Sequence, residues 1–208
     1  MEWFSTLSLA LGTAWTSGIN LYATVTVLGL LEKFGGMRLP GGLEVLDNWW
    51  IIGVAGALYT VEFFADKIPY VDSIWDVVHT FVRIPAGALI AYTATDQSNP
   101  SLHVIATLLG GGLALSSHGT KAALRATANL SPEPISNWVL SFVEDGIAIL
   151  GTIFAVVVPF VVLGMIGIFL LLFVWFIPKV VRALRRMINA ARSFIAGQGF
   201  REEARKAG

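Results

Sequence analysis

The chain has 208 residues, of which 55% are hydrophobic and only 13% charged, with 14 acidic and 14 basic side chains balancing to zero. A soluble domain carries about 25% charged residues, so with a mean hydropathy of +0.71 the composition excludes an ordinary soluble fold and points to an all-α, polytopic helical membrane protein. The absence of cysteine excludes disulfides and thiolate metal sites.

The length suits about six spans of ~20 residues joined by short loops. The N-terminal MEWFSTLSLALGTAW lacks a basic n-region, so no cleaved signal peptide is expected. From Trp3 to Leu31 the chain is apolar except at Thr16-Ser17-Gly18-Ile19-Asn20, which predicts either one span or two half-helices around a break. Turn residues follow (Gly35, Gly36, Pro40, Gly41, Gly42). A span from about Trp49 to Phe64 comes next, with Trp49 and Trp50 as interfacial anchors. Pro69 breaks the chain, and Asp72 or Ser73 is expected to cap the next helix. Pro85 and Gly87 lie where a helix inside a bilayer would break or re-enter. The run DQSNPS is the clearest internal boundary.

The second half opens with LHVIATLLGGGLALSSHGTKAALRATANL, again interrupted near its middle. A proline-rich turn, SPEPISNW, leads into a span from Trp138 to about Val157. An apolar run after Pro159 then continues to Ile177, where Pro178 ends or kinks it. The two halves echo one another: Ala14-Trp15-Thr16-Ser17-Gly18 against Ala114-Leu115-Ser116-Ser117-His118-Gly119, and Val61-Glu62 against Val143-Glu144. An odd number of spans per half forces opposite orientations, so a 3+3 inverted repeat with broken or re-entrant helices is expected. It divides the chain into residues 1–97, residues 98–178 and a basic tail over residues 179–208. The tail concentrates Lys179, Arg182, Arg185, Arg186, Arg192, Arg201, Arg205 and Lys206, which places the C-terminus in the cytoplasm. With Val180, Leu184, Ile188 and Phe194 between them, these residues read as an amphipathic helix on an anionic leaflet.

Ionisable residues at membrane depth are costly and mark function. Asp72, Asp76, His79 and Arg83 share one face of a predicted helix, with Glu62 and Asp66 just before it. Glu62, Asp66, Asp76, His79, Glu144 and Asp145 are the candidates for proton or ion coupling. The carboxylates and imidazole of Glu62, Asp66, Asp76 and His79 are the alternative as ligands to a hard divalent cation. Lys121 and Arg125, four apart on one face, need an anion, either a protein carboxylate or a ligand phosphate. With Arg83, His118, Asn20 and Ser17 they form the candidate substrate-binding set. The two interrupted segments are a further pointer, since a half-helix N-terminus offers free N–H groups to an anion. No nucleophile elbow or Walker loop occurs, so neither enzymatic activity nor a cofactor is expected.

GINLYATVTVLGLL, VEFFADKIPYVDSIWDVVHTFVRIPAGAL and SSHGTKAALRATANLSPEPISNWVLSFVED resemble a family of small bacterial integral membrane proteins catalogued only as a domain of unknown function. The likeness covers nearly residues 8 to 160 and implies placement in the membrane. Arg83-Ile84-Pro85-Ala86-Gly87 also looks like one re-entrant element of the DedA-type lipid carriers, without the Gly-Arg pair that precedes it there. The expectation is a secondary transporter in the bacterial cytoplasmic (inner) membrane, proton- or ion-coupled, for an anionic substrate such as a lipid phosphate. A divalent-cation permease and a non-transport membrane scaffold are the alternatives. The expected partners are membrane lipids and that substrate, with no nucleic acid. Gly110 to Gly112 suit either internal packing or a homo-oligomer seam.

Overall fold

The helices turn polar faces inward and apolar faces outward, the reverse of a soluble bundle. The structure, a computed structural model, describes residues 2–96, 98–129 and 134–206. Along it run α1 (Glu2–Ile19), α2 (Leu21–Phe34), a 3-10 helix (Gly41–Asp47), α3 (Trp49–Ala65), α4 (Val71–Ala94), α5 (Pro100–Ala128), α6 (Pro134–Val157) and α7 (Pro159–Lys206). No strand occurs among the described residues. Among the described residues four stretches are long and apolar enough to cross a membrane: Val71–Ala94, Pro100–Ala128, Ile135–Val157 and Pro159–Lys179. The apolar α3 is shorter, at 17 residues. The protein is thus an all-helical, multi-pass membrane protein.

Two compact units divide the chain, Met1–Gly167 and Ile168–Gly208. In the first, α1 is the axis and packs against α4, α5 and α6, while α2 lies against α3, the 3-10 helix and α6. Small residues set these distances: Ala10, Ala14, Ala91 and Ala114 are fully buried. A side chain on Gly18 would run into the Ala114 carbonyl and Ser117 Oγ, and one on Gly87 into Ala114 Cβ. Gly110 faces the Gly87 carbonyl at 2.9 Å from its would-be Cβ, whereas Gly112 looks into open space. Gly18→Val is therefore expected to force α1 from α5 and cost ~1–3 kcal/mol or more. Thermal unfolding in detergent, followed by the fluorescence of the seven tryptophans, checks it; an unchanged midpoint would refute the close packing.

The interruption in the first half is a single residue. Asn20 is extended (φ −146°, ψ 101°) and its Oδ1 accepts the Ala23 N–H at 2.9 Å, so it ends α1 and caps α2. The expected interruption at Ser116 to Gly119 is not a break, because α5 runs through it. Ser116 Oγ donates within the helix to the Leu113 carbonyl at 2.8 Å, while Ser117 Oγ lies 2.8 Å from the Trp15 carbonyl of α1 and 3.0 Å from the Leu113 carbonyl of its own helix. Nor does Pro85 break α4; a proline removes one intrahelical donor, which membrane helices tolerate when neighbours pack around them. Pro178 likewise lies inside α7. Asp72 and Ser73 do not cap α4 either. The cap position is Tyr70, at φ +70°, and the Asp72 carboxylate accepts the Ser73 N–H and the Asn129 amide.

In the second unit, Arg182, Arg185, Arg186 and Arg192 are exposed on α7. The side chains of Val180, Leu184, Ile188 and Phe194, expected to form the tail's apolar face, lie outside the described residues, as does the Leu130 to Glu133 turn.

Candidate functional site

Helical spacing assembles the site. On α4, Asp72, Asp76, His79 and Arg83 recur at steps of four, three and four on a buried face, while Val77, Val78 and Phe81 are exposed. On α5, His118, Lys121 and Arg125 do the same at steps of three and four, and α6 adds Glu144 and Asp145. Glu62 lies in the last turn of α3, and Asp66 is its C-cap. Glu62, Arg83 and Arg125 are fully buried.

Lys121 stands at the centre. Its Nζ lies 2.9 Å from Asp66 Oδ2, 3.3 Å from Glu62 Oε1, 3.6 Å from Glu144 Oε2 and 3.9 Å from Asp76 Oδ1. Four carboxylates thus share one ammonium, which has three protons to donate. Arg125 is chelated by Glu144, its Nε donating at 3.1 Å to Oε1 and its Nη2 at 2.5 Å to Oε2. It also reaches Asp66 Oδ2 at 3.2 Å and Asp72 Oδ2 at 3.8 Å, and donates to the Asp66 backbone carbonyl. Bidentate pairing of this kind is the strongest ion-pair geometry available to arginine. Arg83 binds Glu62 Oε1, stands 3.4 Å from Asp76 Oδ1 and donates to His118 Nδ1 at 3.0 Å. Since an arginine only donates, His118 is neutral there with its proton on Nε2, which faces the Asp76 carbonyl and Thr80 Oγ1. Asp66 lies between helices in sequence; burial pushes its carboxyl up, but Lys121 and Arg125 outweigh burial and hold it below the ordinary range.

The charges do not balance. Counted as ionised, the carboxylates of Glu62, Asp66, Asp72, Asp76 and Glu144 face, among the described residues, only Arg83, Lys121 and Arg125, an excess of two negative charges. Glu62 Oε2, Asp66 Oδ1 and Asp76 Oδ2 are buried without a hydrogen-bond partner. Unpaired buried charge costs several kcal/mol, so such a cluster calls for positive charge from outside the protein.

Of the residues expected from the sequence, Glu62, Asp66, Asp76, Glu144, Arg83, Lys121, Arg125 and His118 meet in this one network. His79 stands beside it, stacked on Trp75 with ring centroids 4.3 Å apart, Nδ1 donating to the Trp75 carbonyl and Nε2 within 2.9 Å of Tyr22 Oη. Asn20 and Asp145 form a separate pair, Nδ2 donating to Oδ1 at 2.9 Å. Ser17 is not in the network; its Oγ donates to the Ala14 carbonyl at 2.7 Å beneath Gly87. Among the described residues no group of three or more histidines or carboxylates is arranged to hold a metal ion, and an ammonium occupies the middle of the carboxylates. Asp72, placed by the sequence on the polar face of α4, reaches Arg125. Tyr22 and Lys67, beside the network, were not among the site residues expected from the sequence. Lys67 is in fact buried over the Phe63 ring at 3.0 Å from its centroid and 3.2 Å from Ser141 Oγ.

Fold and site together define a multi-pass helical membrane protein built around a buried, acid-rich ion-pair network. The chain belongs to the family described as Domain of unknown function (DUF4126), whose model matches residues 7–179. No curated protein matches it, and no solved structure does.

Proposed function

We propose that the protein is a proton-coupled secondary transporter for an anionic substrate, with a lipid phosphate the favoured class. The carrying observation is the excess of two buried carboxylates together with three carboxylate oxygens that have no partner. Protons are the charges that fit so tight a space, and Glu62 and Asp76, each with a free oxygen, are their acceptors. Protonation there loosens the hold on Lys121 and Arg83, and the freed cations, with Arg125, take the substrate anion. Loss of the anion returns the cations to the carboxylates and expels the protons. Coupling thus follows from charge balance inside a dry core. Glu62 and Glu144, from the echoed Val-Glu pairs, both reach Lys121, at 3.3 and 3.6 Å, which favours an inverted repeat working as two rocking halves. The concentration of arginine and lysine after residue 178 favours an inner-membrane protein with its C-terminus in the cytoplasm.

A scaffold reading draws support from one fact: all three cations are already satisfied by protein carboxylates. A divalent-cation permease is less favoured, because Lys121 holds the position a metal would need. The test is proton movement into vesicles carrying the reconstituted protein, read by a trapped pH dye, with an anionic lipid phosphate supplied outside. Wild type is expected to acidify the lumen, and Glu62→Gln to fall to the level of empty vesicles. Equal acidification by both would exclude the proposed coupling.

A further inference from the structure

Away from the network, Asp145 is buried with only 5% exposure, has no cation within 4 Å among the described residues, and leaves Oδ2 without a partner. Its other oxygen takes the Asn20 amide, so this carboxylate sits at the break between α1 and α2. The break is rich in oxygen. Ala23, whose N–H would close onto the Ile19 carbonyl in an unbroken helix, donates to Asn20 Oδ1 instead, leaving Ile19 without its helical donor. One turn to either side lie the fully buried hydroxyls of Thr16 and Thr24, and Thr152 of α6 touches both, at 3.0 and 3.4 Å. Each of the three hydroxyls also points at a backbone carbonyl: Thr16 at Thr13, Thr24 at Asn20, Thr152 at Ala148.

We infer that this break binds a sodium-sized monovalent cation, with Asp145 supplying the charge and the Ile19 carbonyl and the threonine hydroxyls the neutral oxygens. One carboxylate among neutral oxygens balances a single positive charge. A calcium site draws on more oxygens, usually several carboxylates, and magnesium keeps its waters. Half-helix C-terminal carbonyls at a break serve the same end in coupled carriers. The inference deepens the transport reading by naming a second coupling ion beside the proton, and it rests on that reading for its role but not for its existence.

The experiment is thermal unfolding of the purified full-length protein in detergent, with sodium chloride titrated against choline chloride at constant ionic strength. A saturable rise of at least ~2 °C with sodium is expected. Asp145→Asn, which keeps the shape and the Asn20 contact, is expected to abolish the rise, and Thr152→Val to weaken it. Glu62→Gln is expected to keep it, since it lies in the other network. A wild-type midpoint indifferent to sodium, or a rise that survives Asp145→Asn, overturns the inference. If Asp145→Asn does not yield folded protein, Thr152→Val decides, and a full sodium response there overturns it equally. Failure here leaves the proton-coupled reading standing, because that one depends on Glu62 in the vesicle assay.

Discussion

Replacing Arg125 by methionine is expected to destabilise the protein by about 3–5 kcal/mol, the cost of breaking a buried ion pair from one side. Arg125 is fully buried, and its guanidinium serves Glu144 through two nitrogens while also reaching Asp66 and Asp72. Methionine fills much of the volume, so the effect reports charge rather than a cavity. Three carboxylates then lose a cation at once, and Lys121, already shared among four, has no donor to spare. In a chain of this size the loss corresponds to a fall of roughly 10 °C or more in midpoint. Arg125→Lys is expected to be milder yet still harmful, since a lysine cannot reproduce the fork that Glu144 accepts. Pairing Arg125→Met with Glu144→Gln removes one negative charge with the positive one, and is expected to recover part of the loss. Tryptophan-monitored unfolding of the four proteins settles the matter. If Arg125→Met unfolds at the wild-type temperature, the network is not what holds α3, α5 and α6 together.

Much of this was legible in the sequence, for physical reasons. Charged residues in an apolar chain can only face inward, so Glu62, Asp76, Arg83, Lys121, Arg125 and Glu144 had one place to go. The periodicity of four and three on α4 and α5 gave the faces. Partner choice was another matter. Asp66 and Asp72, set between helices or near a helix start, gave no sign of their partner, and the chain folds both onto Arg125. Asp145 looked like a twin of Glu144, yet adjacent residues on a helix point about 100° apart, and that angle carries Asp145 to Asn20 instead of Lys121. The break at Ser116 to Gly119 was inferred from small polar residues and did not form, because serine hydroxyls can bond inside a helix as readily as they can end one. Only at Asn20, where the side chain caps the next turn, did polarity become a break.

Removing Lys121 is expected to have the largest effect of all. Among the described residues the ammonium is the sole cation within 4 Å of Glu62, Asp66, Asp76 and Glu144 together. Lys121→Met raises the carboxylate excess from two to three and leaves Asp76 a single cation, Arg83 at 3.4 Å. Little folded, monodisperse protein is expected by size-exclusion chromatography in detergent. Neutralising one carboxylate as well, in Lys121→Met with Asp66→Asn, restores the original excess and is expected to return a folded product. The double variant then separates structure from function. Should it fold but fail to move the lipid phosphate and its protons, Lys121 has a part in binding beyond holding the helices. Should it fold and transport at the wild-type rate, the cation is structural and the substrate anion must rest on Arg83 and Arg125 alone. A single Lys121→Met protein that folds as well as wild type would contradict both accounts, since it would mean that four buried carboxylates can do without the one charge they share.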